Sequence, residues 1–264
     1  FSNGKRDGRS TLWLTPEEKQ EEKFYKNGKL DGPSTFWENG YRSTMTTYRS
    51  DVPEGPWVIW YPNIDQIKEQ GFHQNGIREG LTTYYYDDGK MQREGFFQEG
   101  LPEGVWTYWN KKGEKDFDFD FGSGLEHIAL EDLVERESMF YKLGGDIPFT
   151  GIITQENPDA DYLFLGRTKD GKKDGQWVKW FPSGKDVPEI ILVDVPEPEP
   201  KVPWSGGKQE QGGFKGGKKH GDWTEWYDNE YMKSHGTYNE GIMDGHWIFY
   251  HQNGVKEKEG SLAM

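Results

Sequence analysis

Residues 95–113 read Gly95-Phe96-Phe97-Gln98-Glu99-Gly100-Leu101-Pro102-Glu103-Gly104-Val105-Trp106-Thr107-Tyr108-Trp109-Asn110-Lys111-Lys112-Gly113, two aromatic runs punctuated by glycine. The rest of the chain is largely copied from this stretch. A glycine in the setting of Gly104, usually after Asp or Glu, returns at Gly8, Gly32, Gly55, Gly80, Gly175, Gly221 and Gly245. The steps up to Gly104 are 24, 23, 25 and 24 residues, followed by 71, 46 and 24. Since 71 is close to three units and 46 to two, the phase survives two passages where the pattern fades. A fixed period of this size marks a stacked repeat, because one such unit cannot bury its own apolar surface and leans on its neighbours.

Within each unit the side chains keep their places. Five residues after the glycine stands an aromatic ring: Trp13, Trp37, Trp60, Tyr85, Trp109, Trp180, Trp226 and Tyr250. Two residues after it stand Trp57, Trp106, Trp177, Trp223 and Trp247, or else Ser10, Ser34 and Thr82. Offset three is always Thr, Val or Ile, as in Thr107 and Val178. Beta-branched and aromatic residues suit a pleated surface, so the segment is expected to be a strand. Offsets two and five differ in parity, which sends the two ladders to opposite faces of a sheet.

The other half of the unit carries an aromatic residue seven places before the glycine, at Phe1, Tyr25, Tyr48, Phe97, Phe214 and Tyr238, slipping by one to Phe72 in the unit of Gly80. Between the halves lie Asn27-Gly28 to Gly32, Asn75-Gly76 to Gly80 and Glu240-Gly241 to Gly245, where glycine supplies the positive φ of tight turns. Strand, turn, strand and turn fill the 24 residues.

This pattern resembles the MORN repeat, in its bacterial variant with Asn-Gly-Lys, Asp-Gly and Trp-Tyr signatures, over most of the chain. The resemblance implies serial β-hairpins in a long twisted sheet, and proteins of this kind often carry the label of antitoxin components. The expected fold is all-β: an elongated single-layer array of antiparallel hairpins with two degenerate repeats.

In order, residues 1–116 hold regular repeats, although Ser50-Asp51 and Asn63-Ile64 replace Asn-Gly turns in the third. Residues 117–138 are degenerate. There Asp116, Asp118 and Asp120 alternate with Phe117, Phe119 and Phe121, which reads as a strand with one acidic and one aromatic face. The calcium-loop alternative lacks its glycine and its final acid. Residues 125–138 suit either a short helix or an irregular strand. Repeats resume over 139–185, re-entering through Pro148-Phe149-Thr150-Gly151, and 212–264 completes the array. Between them, the proline-rich stretch 186–211 reads as a degraded repeat or linker.

The chain has 264 residues, 32% hydrophobic and 30% charged, a low apolar share for a compact globule but enough for a stack without a deep centre. Thirty-two basic against forty-six acidic residues leave a net charge of −14, which repels phosphate backbones and anionic membrane surfaces and favours cationic partners. No apolar run is long enough for a transmembrane helix. The absence of cysteine fits an exported, periplasmic or cell-surface bacterial protein slightly better than a cytoplasmic one. Phe1 already occupies a repeat position, so the chain reads as a processed or truncated segment.

Nothing in the pattern assembles a reaction centre. Cysteine nucleophiles are excluded, Ser123 lacks the spacing of a nucleophile elbow, and no phosphate cradle is present. His246 and His251 alternate to opposite faces, which disfavours joint metal binding. Acids stand before the glycine in seven of the eight units, a recurrence that suits a turn role. No catalytic, cofactor or metal residues are assigned. The expectation is a non-enzymatic interaction or scaffold module that presents an acidic surface lined by the ladder from Trp13 to Tyr250. Its partner is a protein or a second copy of itself. A self-assembling envelope component and a carbohydrate-binding surface are the alternatives.

Overall fold

The computed structural model describes residues 2–157, 160–181 and 207–262. The chain forms two compact units, Phe1–Ser123 and Gly124–Met264. The first is one ten-stranded open sheet in which spatial order equals chain order. Its strands are β1 (Gly8–Trp13), β2 (Lys19–Lys26), β3 (Lys29–Glu38), β4 (Tyr41–Arg49), β5 (Val52–Trp60), β6 (Ile67–Gln74), β7 (Ile77–Tyr85), β8 (Met91–Gln98), β9 (Leu101–Trp109) and β10 (Lys115–Asp120). Every neighbouring pair is antiparallel, as serial hairpins require.

The second unit opens with β11 (His127–Ala129), a 3-10 turn at Leu130–Asp132, β12 (Leu133–Arg136) and β13 (Met139–Lys142). It continues with β14 (Gly151–Asn157), β15 (Ala160–Lys169), β16 (Lys172–Trp180), β17 (Lys208–Lys215), β18 (Lys218–Trp226), β19 (Met232–Asn239), β20 (Ile242–Tyr250) and β21 (Lys256–Leu262). Strands β14 to β21 again follow one another in order, while β11 lies parallel to β14 at the edge. The proline-rich stretch falls outside the described residues up to 206.

The acid–glycine glycines do not sit in turns, contrary to the sequence reading. Glu94 pairs with Thr107 and Phe96 with Glu103, so three residues of β9, Gly104 among them, stand opposite Gly95 alone. Gly104, with φ of 62°, therefore occupies a bulge inside the strand. Turns and bulges both demand positive φ, which is why sequence alone confused them. The hairpin turns lie a few residues earlier: Asn27 and Gly28, with φ of 53° and 88°, have the two left-handed residues of a type I′ turn.

The aromatic place seven residues before Gly80 has not slipped. His73 occupies it, its ring 5.6 Å from that of Trp57, and Phe72 points the other way at 44% exposure. Residues 139–150 also depart from expectation. Met139–Lys142 pairs with β12 in a separate two-stranded sheet and does not re-enter the main array, which resumes at Gly151. Residues 125–138 become two short strands joined by a 3-10 turn, each segment being too short for a helix.

Candidate interaction surface

The two faces of each sheet carry different side chains, and the inward face is consumed by packing. Trp57, Trp106, Trp177, Trp223 and Trp247 are between 1% and 4% exposed. Trp106, Trp177, Trp223 and Trp247 each lie flat across a glycine eleven residues earlier, namely Gly95, Gly166, Gly212 and Gly236, where any Cβ would collide with the indole. The indole Nε1 of Trp106 donates to the Phe96 carbonyl at 3.1 Å, that of Trp177 to Arg167 at 2.8 Å and that of Trp247 to Thr237 at 3.1 Å. Rings then touch rings in sequence: Phe164, Trp177, Phe214, Trp223, Tyr238, Trp247 and Phe249 form an unbroken row with centroid spacings of 4.8 to 6.0 Å. Such pairs add about 0.5–1.5 kcal/mol each beyond their burial.

In each unit one end of the indole row is closed by phenylalanine. Phe121 packs on Trp106 at 5.8 Å in the first sheet, with Phe119 against Phe121, and Phe140 stacks on Trp177 at 6.0 Å in the second. The Asp-Phe alternation thus supplies a strand whose phenylalanines finish a core, while Asp118 on its other face is held by Thr107 and Lys115. Cations roof the same inward face. The Arg78 guanidinium lies 4.5 Å from the Trp57 ring, Arg93 3.9 Å from Tyr84, Lys173 4.6 Å from Trp177 and Lys219 3.9 Å from Trp223. Burial over these rings pulls the Lys173 ammonium below its ordinary pKa, with Glu135 and Glu210 opposing.

The acids before the bulge glycine act between repeats. Asn27 N–H donates to Asp7 at 3.1 Å, Ser50 N–H to Asp31 at 3.3 Å, Asn75 N–H to Glu54 at 2.8 Å and Glu99 N–H to Glu79 at 3.0 Å. Each carboxylate therefore holds the turn of the following hairpin, a turn role but not in its own turn. On the opposite edge the Tyr61 hydroxyl donates to the Tyr85 carbonyl, Tyr86 to Trp109 and Tyr227 to Tyr250, at 2.8, 2.8 and 2.9 Å.

The ladder at offset five faces outward together with offset three. Gln70, opposite Val58 and Thr83, donates to the Tyr85 hydroxyl at 2.8 Å, and Lys208, bonded to Gln211 opposite Thr224, lies 5.7 Å from Trp226. Exposure along this ladder is uneven. Trp13 is 48% exposed, Trp37, Tyr85, Trp109, Trp180 and Trp226 are half-buried, and Trp60 and Tyr250 are buried. The Lys19 ammonium joins Trp13 and Trp37, at 5.5 and 5.3 Å, and Arg42 covers Trp60 at 4.7 Å. The five rings from Trp13 to Trp109 belong to one sheet and the last three to the other.

The model of the MORN repeat variant matches residues 78–99 and 243–262, each a pair of adjacent strands running from beside the bulge glycine. The chain carries MORN-variant repeats. Outside the two matched stretches the bulge recurs between β2 and β3, β4 and β5, β15 and β16, and β17 and β18, an indole rests on glycine at Trp177 and Trp223, and a carboxylate holds the next turn at Asn27, Ser50 and Asn75. MORN repeats point to an interaction module with protein or membrane lipid as partner classes, and proteins built from them are generally non-catalytic. Among curated proteins none matches the chain. No helix of the described residues is long and apolar enough to cross a membrane. Among those residues no group of three or more His, Asp or Glu side chains is placed to hold a metal ion.

Sequence reasoning missed a set of outward side chains, each one place before an inward one. Phe96 lies between Gly95 and Phe97, both turned to Trp106, and so points away from it. Val105 precedes Trp106, Leu81 precedes buried Thr82, Pro56 precedes Trp57 and Phe72 precedes His73, with the same result. The signal was available in the repeat alignment: where Pro56, Leu81 and Val105 stand, the other units have Pro33 or the polar Arg9, Gln176, Asp222 and His246.

Proposed function

We propose that the chain is a non-enzymatic interaction module whose first unit receives a cationic protein on its outward sheet face, acidic and lined by the rings from Trp13 to Trp109. One observation carries this reading. The outward positions of β5–β9 between the turn-side ends and offset three hold Glu54, Glu79, Glu94 and Glu103 and no lysine, arginine or histidine, while Arg78 and Arg93 of the same strands are spent on inward rings. Such segregation steers a partner by charge. Affinity capture with the tagged chain at low and high salt tests it. The expected result is a basic protein retained at low salt and released at high salt, and no stable partner at low salt counts against it.

A second reading, self-association by strand addition, has its own support. Gly260 stands opposite Trp247 in β21, the place that a seat glycine takes in other repeats, and nothing lies within 4 Å of its Cβ position. A strand added there by a second copy would cover it. Sedimentation that shows a concentration-independent monomer would remove this reading.

A further inference from the structure

We propose that Pro56, Phe72, Leu81, Phe96 and Val105, on the outward face of β5–β9, dock a polypeptide segment carrying two or more apolar side chains among lysines or arginines. The inference rests on the reading of the chain as an interaction module and names its docking place and the chemistry of its partner.

Phe72, Leu81, Phe96 and Val105 are 44%, 48%, 58% and 58% exposed. They stand on consecutive strands, Leu81 directly opposite Phe96 and Pro56 directly opposite Phe72. Packing does not need them. The indoles rest on glycines, the turns are held by carboxylates and the hairpins are tied by tyrosine hydroxyls, all through other residues. They also break the period, for the second sheet has Gln176, Asp222 and His246, with Arg167, Gly213 and Thr237, at the matching places. A contiguous apolar patch on adjacent strands that the fold does not use marks a contact surface.

Charge selects the occupant. Phe72 pairs with Glu79 and Phe96 with Glu103, so carboxylates stand beside the patch on its own face, and Glu94 follows on the other side. An uncharged apolar partner would strip water from these acids without pairing them. Lysines or arginines beside the anchors supply charge-assisted hydrogen bonds. A second copy laid face to face would set glutamate against glutamate, and a nucleic acid or an anionic bilayer is repelled. Five strands at about 4.8 Å spacing measure roughly 20 Å, the reach of an extended segment of about six residues.

The test is fluorescence anisotropy of the full chain with short labelled peptides of alternating leucine and lysine, serine and lysine, or leucine and glutamate. The leucine–lysine peptide is expected to bind at least about tenfold tighter than either control, since both anchors and charge are required. Leu81→Ser with Phe96→Ser should lower that affinity at least about tenfold with an unchanged melting curve, because both side chains are outward. Should that double variant fail to fold, Val105→Thr is expected to weaken binding in the same direction. Glu94→Gln should reduce the salt dependence. Equal binding of the serine–lysine peptide, or indifference to Leu81→Ser with Phe96→Ser, overturns the proposal. So does a wild-type chain that ignores the peptides yet binds phosphatidylcholine vesicles through Phe96, which would assign the patch to lipid. A basic protein captured equally by wild type and double variant would overturn the patch while leaving the interaction reading intact.

Discussion

Trp247 lies across Gly236, and its indole Nε1 donates to the next carbonyl, that of Thr237, at 3.1 Å. Gly236 has no positive φ to explain it, so close approach alone demands glycine there. Gly236→Ala should therefore cost about 2 kcal/mol or more by overpacking, although alanine normally favours strands over glycine. Urea unfolding followed by tryptophan fluorescence measures it, and an unchanged midpoint would mean that the indole slides aside freely.

The clasp between hairpins separates charge from hydrogen bonding. Glu79 accepts the Glu99 N–H at 3.0 Å. Glu79→Gln keeps an acceptor and is expected to be nearly neutral, whereas Glu79→Ala should cost roughly 1 kcal/mol and speed hydrogen exchange at the Glu99 amide. Equal loss in both variants would point to charge as the cause.

Ser50 and Asp51 form a left-handed turn without glycine, with φ of 52° and 73°. Asp51 also accepts the Leu30 N–H at 2.7 Å, so its replacement forfeits a bond. Ser50→Asn has no such cost and places a residue tolerant of this region where other hairpins have Asn27 or Asn75. It should raise stability by about 0.5 kcal/mol, read as a shift of the urea midpoint. A lowered midpoint would show that the serine side chain makes a contribution of its own.

Burial, and secondarily the charge of Arg78, hold the His73 imidazole below its ordinary pKa of 6.5. The folded protein then binds this proton less readily than the unfolded chain does. The stabilising effect is complete above pH 6.5 and declines as the pH falls below it toward the lowered value. Melting temperature should drop between about pH 7.5 and pH 5.5, and His73→Phe, which installs the ring that Phe97 and Phe214 supply elsewhere, should lessen the drop. An identical pH profile in the variant would transfer the effect to other groups.

The period, the strands and the two-faced sheet were legible because each unit repeats the same local chemistry. The eleven-residue interval from Gly95 to Trp106, or from Gly212 to Trp223, was equally visible, but its meaning lies in the register across a hairpin, which spacing does not reveal. For the same reason the bond from Glu99 to Glu79 escaped notice, since it joins different hairpins. His73 and Phe72 were misassigned because a ring was sought by type, and imidazole served in the aromatic row. Over residues 125–150 the parallel pairing of His127–Ala129 with Ile152 to Thr154 leaves no alternation to read.

The side-chain arms on both edges reach forward along the chain: Asp7 toward Asn27, Glu54 toward Asn75, Tyr61 toward Tyr85 and Tyr227 toward Tyr250. A hairpin emerging during translation thus finds its fasteners already made by the one before it. Locking runs mostly in the direction of synthesis, the return bond from Leu30 to Asp51 being an exception, so trimming from the carboxyl side leaves mainly idle arms, whereas removal of an early hairpin disarms its successor.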